Sequence, residues 1–280
     1  MTNIAGRHAL ITGGASGIGR LTAKKLAAQG ARVTIWDINP TSLSAVVSEL
    51  GADAHGFVCD VANREQVYAR ARETIAAAGP VDLLINNAGI VSGQDFLDLP
   101  DDRIAATFDV NVLALFWAGK AFLPSMIERN DGHIVTIASA SGLIGVARLA
   151  DYSASKWAAI GFDESLRAEL RQRAPGVMTT VVCPFYINTG MFRGVQSRFP
   201  FLLPILEEDA VAERIVHAIR TNRRRLSLPR LVHLLPALRV LPIGLFDWIA
   251  NFLGVNVSMK AFVGRAATPA VEAEHERRSA

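Results

Sequence analysis

Short apolar runs alternate with amphipathic stretches over the first two-thirds of the chain. His8-Thr12, Arg32-Asp37, His55-Cys59, Leu83-Asn86, His133-Ala138 and Thr179-Cys183 are rich in Val, Ile and Leu, as parallel strands buried on both faces are. Between them, Gly19-Gln29, Thr41-Leu50, Arg64-Ala78, Arg103-Arg129 and Tyr152-Arg173 read as helices. Strand and helix in alternation build βαβ units. The pattern therefore predicts an α/β protein with a doubly wound parallel sheet, and no repeat or linker divides it.

Past Met191 the texture changes. Glu207-Arg220 has the spacing of an amphipathic helix, and Arg223-Leu228 that of a last strand. Leu231-Val257 is very apolar but broken by Pro236, Pro242 and Gly244. We read residues 1–264 as one domain, with a substrate lid at about 189–210 and an apolar helical extension at about 229–264. Residues 265–280 are small, polar and charged, the composition of a disordered tail.

Composition narrows the function. A chain of 280 residues, half of them hydrophobic, has ample core for one large domain. Cys59 and Cys183 each end an apolar run and read as reduced, buried thiols of a cytoplasmic protein. Six scattered His without ligand spacing argue against a metal site. Met1 to Arg7 is polar and runs straight into a strand, unlike a signal or transit peptide. No stretch holds the ~18 uninterrupted apolar residues of a membrane span. A formal charge of +3 is mild, and nothing points to nucleic acid.

The chemistry begins at Thr12-Gly13-Gly14-Ala15-Ser16-Gly17-Ile18-Gly19, between the first strand and the first helix. Glycines there permit a tight turn and close approach to a pyrophosphate, and the helix N-terminus supplies N–H donors. A flexible turn is glycine-rich too; the strand-to-helix context is what marks a nucleotide loop. Eighteen residues after Gly19, Asp37 ends the second strand. A carboxylate there binds the adenosine-ribose hydroxyls and repels a 2′-phosphate, or it serves as a turn or capping residue. Ser16 and Ile38 stand where a phosphate-binding Arg or Lys would be, so NAD is expected over NADP.

Tyr152 and Lys156 lie four apart in Asp151-Tyr152-Ser153-Ala154-Ser155-Lys156. On a helix their Cβ atoms are about 6 Å apart on one face. An ammonium beside a phenol lowers a pKa that starts near ~10, making an acid or base for neutral pH. A half-buried Tyr with a surface Lys would show the same spacing.

Together these motifs resemble the short-chain dehydrogenase/reductase family, in its single-domain branch, over about Gly6 to Met191. Thr12, Gly13, Gly17 and Gly19 match its glycine loop. Asn86-Asn87-Ala88-Gly89 matches the signature after the fourth strand, and Asp60-Val61 the pair beside adenine. Asn111 matches the helical Asn, and Thr189 the nicotinamide-side Thr. Ser139 precedes Tyr152 by the family's thirteen residues; that interval alone favours it over Ser141. The resemblance implies a Rossmann-type fold and four catalytic residues. Tyr152 is the acid/base, Lys156 lowers its pKa and binds the nicotinamide ribose, Ser139 orients the substrate oxygen, and Asn111 holds a water linking Lys156 to solvent. Asn111 also fits a mid-helix packing residue. Cofactor contacts are implied for Thr12, Gly13, Ser16, Gly17, Ile18, Gly19, Asp37, Asp60, Val61, Asn87, Ala88, Gly89, Tyr152, Lys156, Pro184, Ile187 and Thr189. A homodimer or homotetramer is implied as well.

The C-terminal third carries what there is on substrate. Phe185 replaces the glycine common in the family after Pro184. The run Phe185 to Gly194 and the apolar C-terminus resemble, more loosely, the retinol dehydrogenase and 17β-hydroxysteroid dehydrogenase-11-like branch. That implies a small lipophilic substrate, with Ser139, Phe185, Met191 and Phe192 beside it. Arginines before Leu231 and the broken apolar stretch fit either peripheral membrane contact through 220–255 or a solvated basic face with subunit packing. Two rivals stay open: an NADPH-linked reductase of fatty aldehydes or ketones, and a non-catalytic nucleotide sensor on the same fold.

Overall fold

Each run read above as a strand is one, and the seven lie parallel in one sheet. The computed structural model describes residues 1–264; the tail expected at 265–280 lies outside the described residues. The strands are β1 (His8–Thr12), β2 (Arg32–Asp37), β3 (His55–Val58), β4 (Leu83–Asn86), β5 (Gly132–Ile137), β6 (Val177–Pro184) and β7 (Arg225–Leu228), in the order β3-β2-β1-β4-β5-β6-β7. Chain direction across the sheet reverses between β1 and β4. In open α/β sheets, ligands bind at such a switch point, at the carboxyl ends of the strands.

Neighbouring strand residues face opposite layers. Ile11, Ile85 and Val135 pack with α1 (Gly17–Ala27), α2 (Pro40–Leu50) and α7 (Glu208–Arg220). Leu10, Leu84 and Ile134 pack with α3 (Arg64–Ala78), α5 (Ala114–Arg129) and the end of α6 (Ala150–Arg173). Helix starts follow local chemistry. Asn39 accepts the Ser42 N–H at 2.9 Å ahead of Pro40, and Asn63 accepts the Gln66 N–H at 2.9 Å; both are N-caps.

The helix expected over Arg103-Arg129 is not uniform. α4 (Asp101–Phe108) passes through a π-turn, Asp109–Leu113, into α5. A π-turn holds one residue more than an α-turn, and Asn111 sits inside it. By length and composition this rod is apolar enough to cross a membrane, which a count of uninterrupted apolar residues misses. Ala114, Ala118, Phe122 and Met126 instead bury one of its faces in the core beside Trp36.

Beyond β6 lie α7 and β7, then α8 (Leu235–Leu238) and α9 (Ile243–Phe252), the latter two being the pieces into which Pro236 and Pro242 cut the apolar stretch.

His133, in β5, has no exposed surface and its Nε2 is 2.8 Å from Thr180 Oγ1. Burial pushes its pKa down to about 4. The unfolded imidazole takes a proton near ~6.5, so between those values the unfolded state holds more protons and stability falls as pH falls. We expect about 2 kcal/mol of the stability present at pH 7 to be lost by pH 5 through this group. Urea midpoints for wild type and His133→Asn at the two pH values measure it; the variant should lose less.

Candidate active site

The cofactor cradle is built where β1 and β4 end side by side. Asn87 Nδ2 donates to Thr12 O (3.0 Å) and Gly13 O (2.8 Å), while the N–H groups of Asn87 and Ala88 both reach Thr12 Oγ1 at 3.1 Å. Gly13 has φ +61, and a Cβ there would lie 2.9 Å from Ala88 Cα. A Cβ on Gly19 would lie 2.4 Å from Asn87 Nδ2 and 2.6 Å from Gly13 O. The backbone is therefore bare at the N-terminus of α1, as a pyrophosphate requires. Thr189 rests over this loop: a Cβ on Gly17 would meet its side chain at 3.4 Å. The residues present thus fit a dinucleotide.

Asp37 ends β2 beside the glycine loop. Its oxygens accept the N–H groups of Ala15 and Asn39, each at 3.0 Å. These bonds leave acceptor sites for a ribose, because a carboxylate has about four. Asp60 accepts the Ala62 N–H at 3.0 Å, its own N–H donates to Gln66 Oε1 at 3.0 Å, and Val61 is buried. Ser16 is the N-cap residue of α1, and Ile18 lies in its first turn.

The catalytic candidates converge from three elements. α6 carries Tyr152 and Lys156, both buried, with the Lys156 ammonium 5.6 Å from the centre of the Tyr152 ring. Lys156 Nζ donates to Ile137 O at 2.9 Å. Ser139, just past β5, caps a short 3₁₀ turn by accepting the Ser141 N–H at 3.1 Å, and it hydrogen-bonds Tyr152. Gly89 stands opposite: a Cβ there would lie 3.2 Å from Asn111 Oδ1 and 3.5 Å from Lys156 Nζ. Asn111 Oδ1 accepts the Ile90 N–H (2.8 Å), and its Nδ2 donates to Ile90 O (3.0 Å) and Ser155 Oγ (3.0 Å). Both amide hydrogens are thus used, and the side chain braces the cofactor loop besides any contact with water.

Electrostatics depart from the sequence expectation. Lys156 was expected to lower the Tyr152 pKa. Burial instead pushes this phenol well above its ordinary value, the Ser139 hydrogen bond draws it partly back, and nearby Tyr186 adds to the rise. Burial also pushes Lys156 itself down to about 8. The reason is common to both: the pair is out of water, and desolvation disfavours each charge.

Next to Ser139 an apolar cavity opens, partly continuous with solvent. Phe185 and Phe192 line it, together with Tyr186 and Leu203. The far wall comes from the C-terminal extension, through Leu231, Leu235, Leu238, Phe246 and Ile249. Phe192 meets the Tyr152 ring edge-on at 5.8 Å. Met191, expected beside the substrate, is not on the cavity wall; the turn that carries it gives the inward place to Phe192. Phe199, within the expected lid, is half-buried, packs on Phe252 at 5.5 Å and is not on the cavity wall. Pro184 ends β6, and Ile187, buried, bridges to Leu206. Sequence reasoning missed Tyr186, which adjoins Phe185 in the chain. It also missed Ser155, whose Oγ donates to Tyr152 O at 2.7 Å; nothing in its spacing marks it.

Comparison with known proteins agrees with this geometry. The family described as short chain dehydrogenase matches residues 7–198. Mouse epidermal retinol dehydrogenase 2 is 45% identical over 269 residues, covering 94% of this chain and 87% of its own. Human estradiol 17-beta-dehydrogenase 11 is 42% identical over 245 residues, covering 86% and 81%. Among solved structures, a Burkholderia phymatum short chain dehydrogenase/reductase in complex with NAD superposes with a TM-score of 0.78 at 29% identity, covering 86% of this chain and 95% of that one.

The cradle yields one direct test. Gly19→Ala places a methyl group against the Gly13 carbonyl, so calorimetric titration should show NAD affinity lowered at least about 10-fold, about 1.4 kcal/mol, with the circular dichroism spectrum unchanged.

Proposed function

The chain belongs to the short-chain dehydrogenase family as an NAD(P)-dependent oxidoreductase, and we propose that it moves hydride between NAD and one hydroxyl or carbonyl group of an apolar retinoid, steroid or long-chain substrate. The observation that carries this is a cavity lined by Ser139 and by Phe192, which packs edge-on against Tyr152, and whose wall is apolar apart from Ser139, Ser141 and Tyr186. The names of the mouse and human relatives, retinol and estradiol dehydrogenases, support the substrate class. Asp37 supports NAD over NADP, since its charge opposes a 2′-phosphate.

The nicotinamide, when bound, supplies the hydride chemistry. The protein manages the proton. Ser139 orients the substrate oxygen, and Tyr152 takes the alcohol proton in oxidation or returns it in reduction. Burial makes the phenolate costly, so it needs positive charge close by. With a pKa of about 8, Lys156 is largely charged at neutral pH and meets that need. Asn111 braces the loop Asn87–Ile90 against α6.

The wall offers few polar partners away from Ser139, Ser141 and Tyr186. A second hydroxyl at the far end of a substrate would be buried unpaired, costing about 1–3 kcal/mol. Alcohols with one polar end are therefore favoured. An NAD-reduction screen over retinoid, steroid, fatty and short-chain alcohols tests the reading. We expect lipid alcohols to be oxidised with NAD in preference to NADP. Tyr152→Phe should bind NAD yet lose about 10²- to 10⁴-fold in turnover. Activity confined to small polar alcohols, or a fully active Tyr152→Phe, overturns it; preference for NADPH favours the reductase.

We assign a membrane-facing role to the outer side of the extension. Val240 (86%), Ile243 (80%), Trp248 (63%) and Phe252 (52%) are exposed there, near Phe201 (81%) of the lid. Monomers rarely leave so much apolar surface together, and arginines precede it along the chain, as on helices that lie on anionic bilayers. The exposed Phe116 and Trp157 of α5 and α6 are assigned to a homodimer contact. Flotation with anionic liposomes at low salt should carry the protein upward; protein that stays at the bottom rules the membrane role out.

A further inference from the structure

Asp151 stands directly before Tyr152 and is 5% exposed. Among the described residues no cation pairs with it. Two hydroxyls hold its oxygens instead. Ser92 Oγ lies 2.8 Å from Oδ1 and 2.7 Å from Oδ2, and Thr107 Oγ1 lies 2.8 Å from Oδ2. Ser92 belongs to the stretch that continues the cofactor loop Asn87–Ile90; Thr107, in the last turn of α4, is 1% exposed. Burying a carboxylate without a cation is costly. The hydroxyl donors and the position of Asp151 in the first turn of α6, near the positive end of the helix dipole, offset that cost. The partners are 59 and 44 residues away in the chain, so one side chain gathers three separate segments at the base of the catalytic tyrosine.

We propose that Asp151 is a positioning residue. Its carboxylate locks the first turn of α6 to the cofactor loop through Ser92 and to α4 through Thr107. The Tyr152 phenol is thereby fixed relative to the bound nicotinamide. Asn111 grips the same loop at Ile90 through backbone bonds; Asp151 is the second brace, made of side chains alone. The proposal rests on the NAD-linked reading of the site.

The test compares Asp151→Ala, Asp151→Asn and Ser92→Ala with wild type, using an alcohol that wild type oxidises. Misplacing reacting groups by about 1 Å costs about 100-fold. We expect Asp151→Ala and Ser92→Ala to lower kcat about 10- to 100-fold. The deuterium isotope effect on kcat, with the carbinol carbon labelled, should rise as hydride transfer becomes limiting. NAD affinity should stay within about 3-fold of wild type. Asp151→Asn keeps an acceptor oxygen for Ser92 and should recover most of the rate. Ser92→Ala leaves the carboxylate bound to Thr107, and so serves if Asp151→Ala does not fold. Wild-type kcat and isotope effect in Ser92→Ala, or a loss confined to NAD affinity or melting temperature, overturns the proposal. A failure of the lipid reading shows instead in which alcohol wild type oxidises.

Discussion

Two hydrogen bonds from one amide hold the site together. Asn87 Nδ2 spans the gap between β4 and β1 by donating to Thr12 O and Gly13 O. The gap exists because the sheet reverses its order there, and a crevice with bare carbonyls would otherwise face solvent. From Asn87 the contacts run on without a break. Ile90, three residues along, is gripped by Asn111; Asn111 reaches Ser155; Ser155 donates to the carbonyl of Tyr152. The glycine loop and the catalytic phenol are thus two ends of one bonded path, and neither can shift far without the other.

That path explains what could be read in the chain and what could not. Strands were legible because burial on both faces leaves continuous apolar runs, and β1, β2 and β4 have the ends expected of them. Ser139, Tyr152 and Lys156 were legible because fixed intervals on a strand end and a helix bring them together whatever lies between. The π-turn was not, since one extra residue in a turn changes hydrogen-bond register without changing composition. Ser92 and Thr107 were not, because their partner lies tens of residues away and a lone hydroxyl carries no pattern. How strongly burial shifts Tyr152 and Lys156 was not legible for a related reason. Spacing tells which groups are neighbours, while the loss of water around them depends on everything packed above, including Phe192 and Met259.

The molecule divides its labour by region. Most of the residues that fit a nucleotide lie on β1 to β4 and the loops at their carboxyl ends, where backbone geometry leaves little freedom. The cavity wall comes mainly from β6 onward, where apolar side chains of many shapes could fill the same space. This is why the motifs speak firmly of cofactor and reaction and only broadly of substrate. The end of the C-terminal extension is held by segments after β5 and β6. Tyr186 OH lies 2.8 Å from Ser258 Oγ, Arg148 Nη1 donates to Met259 O at 3.1 Å, and the Val263 N–H reaches Arg193 O at 2.9 Å.

The π-turn at Asp109–Leu113 sets a phase between two halves of one rod. Successive residues of an α-helix are about 100° apart around its axis, so one extra residue advances everything after it by about that angle. Before the turn, Thr107 looks toward the base of the catalytic helix; after it, Phe122 and Met126 look into the core beside Trp36. A rod of uniform pitch through the same positions could satisfy one of these directions and would swing the other away. The irregularity acts like an offset coupling on a shaft: it lets a single stiff element answer to the sheet at one end and to the chemistry at the other.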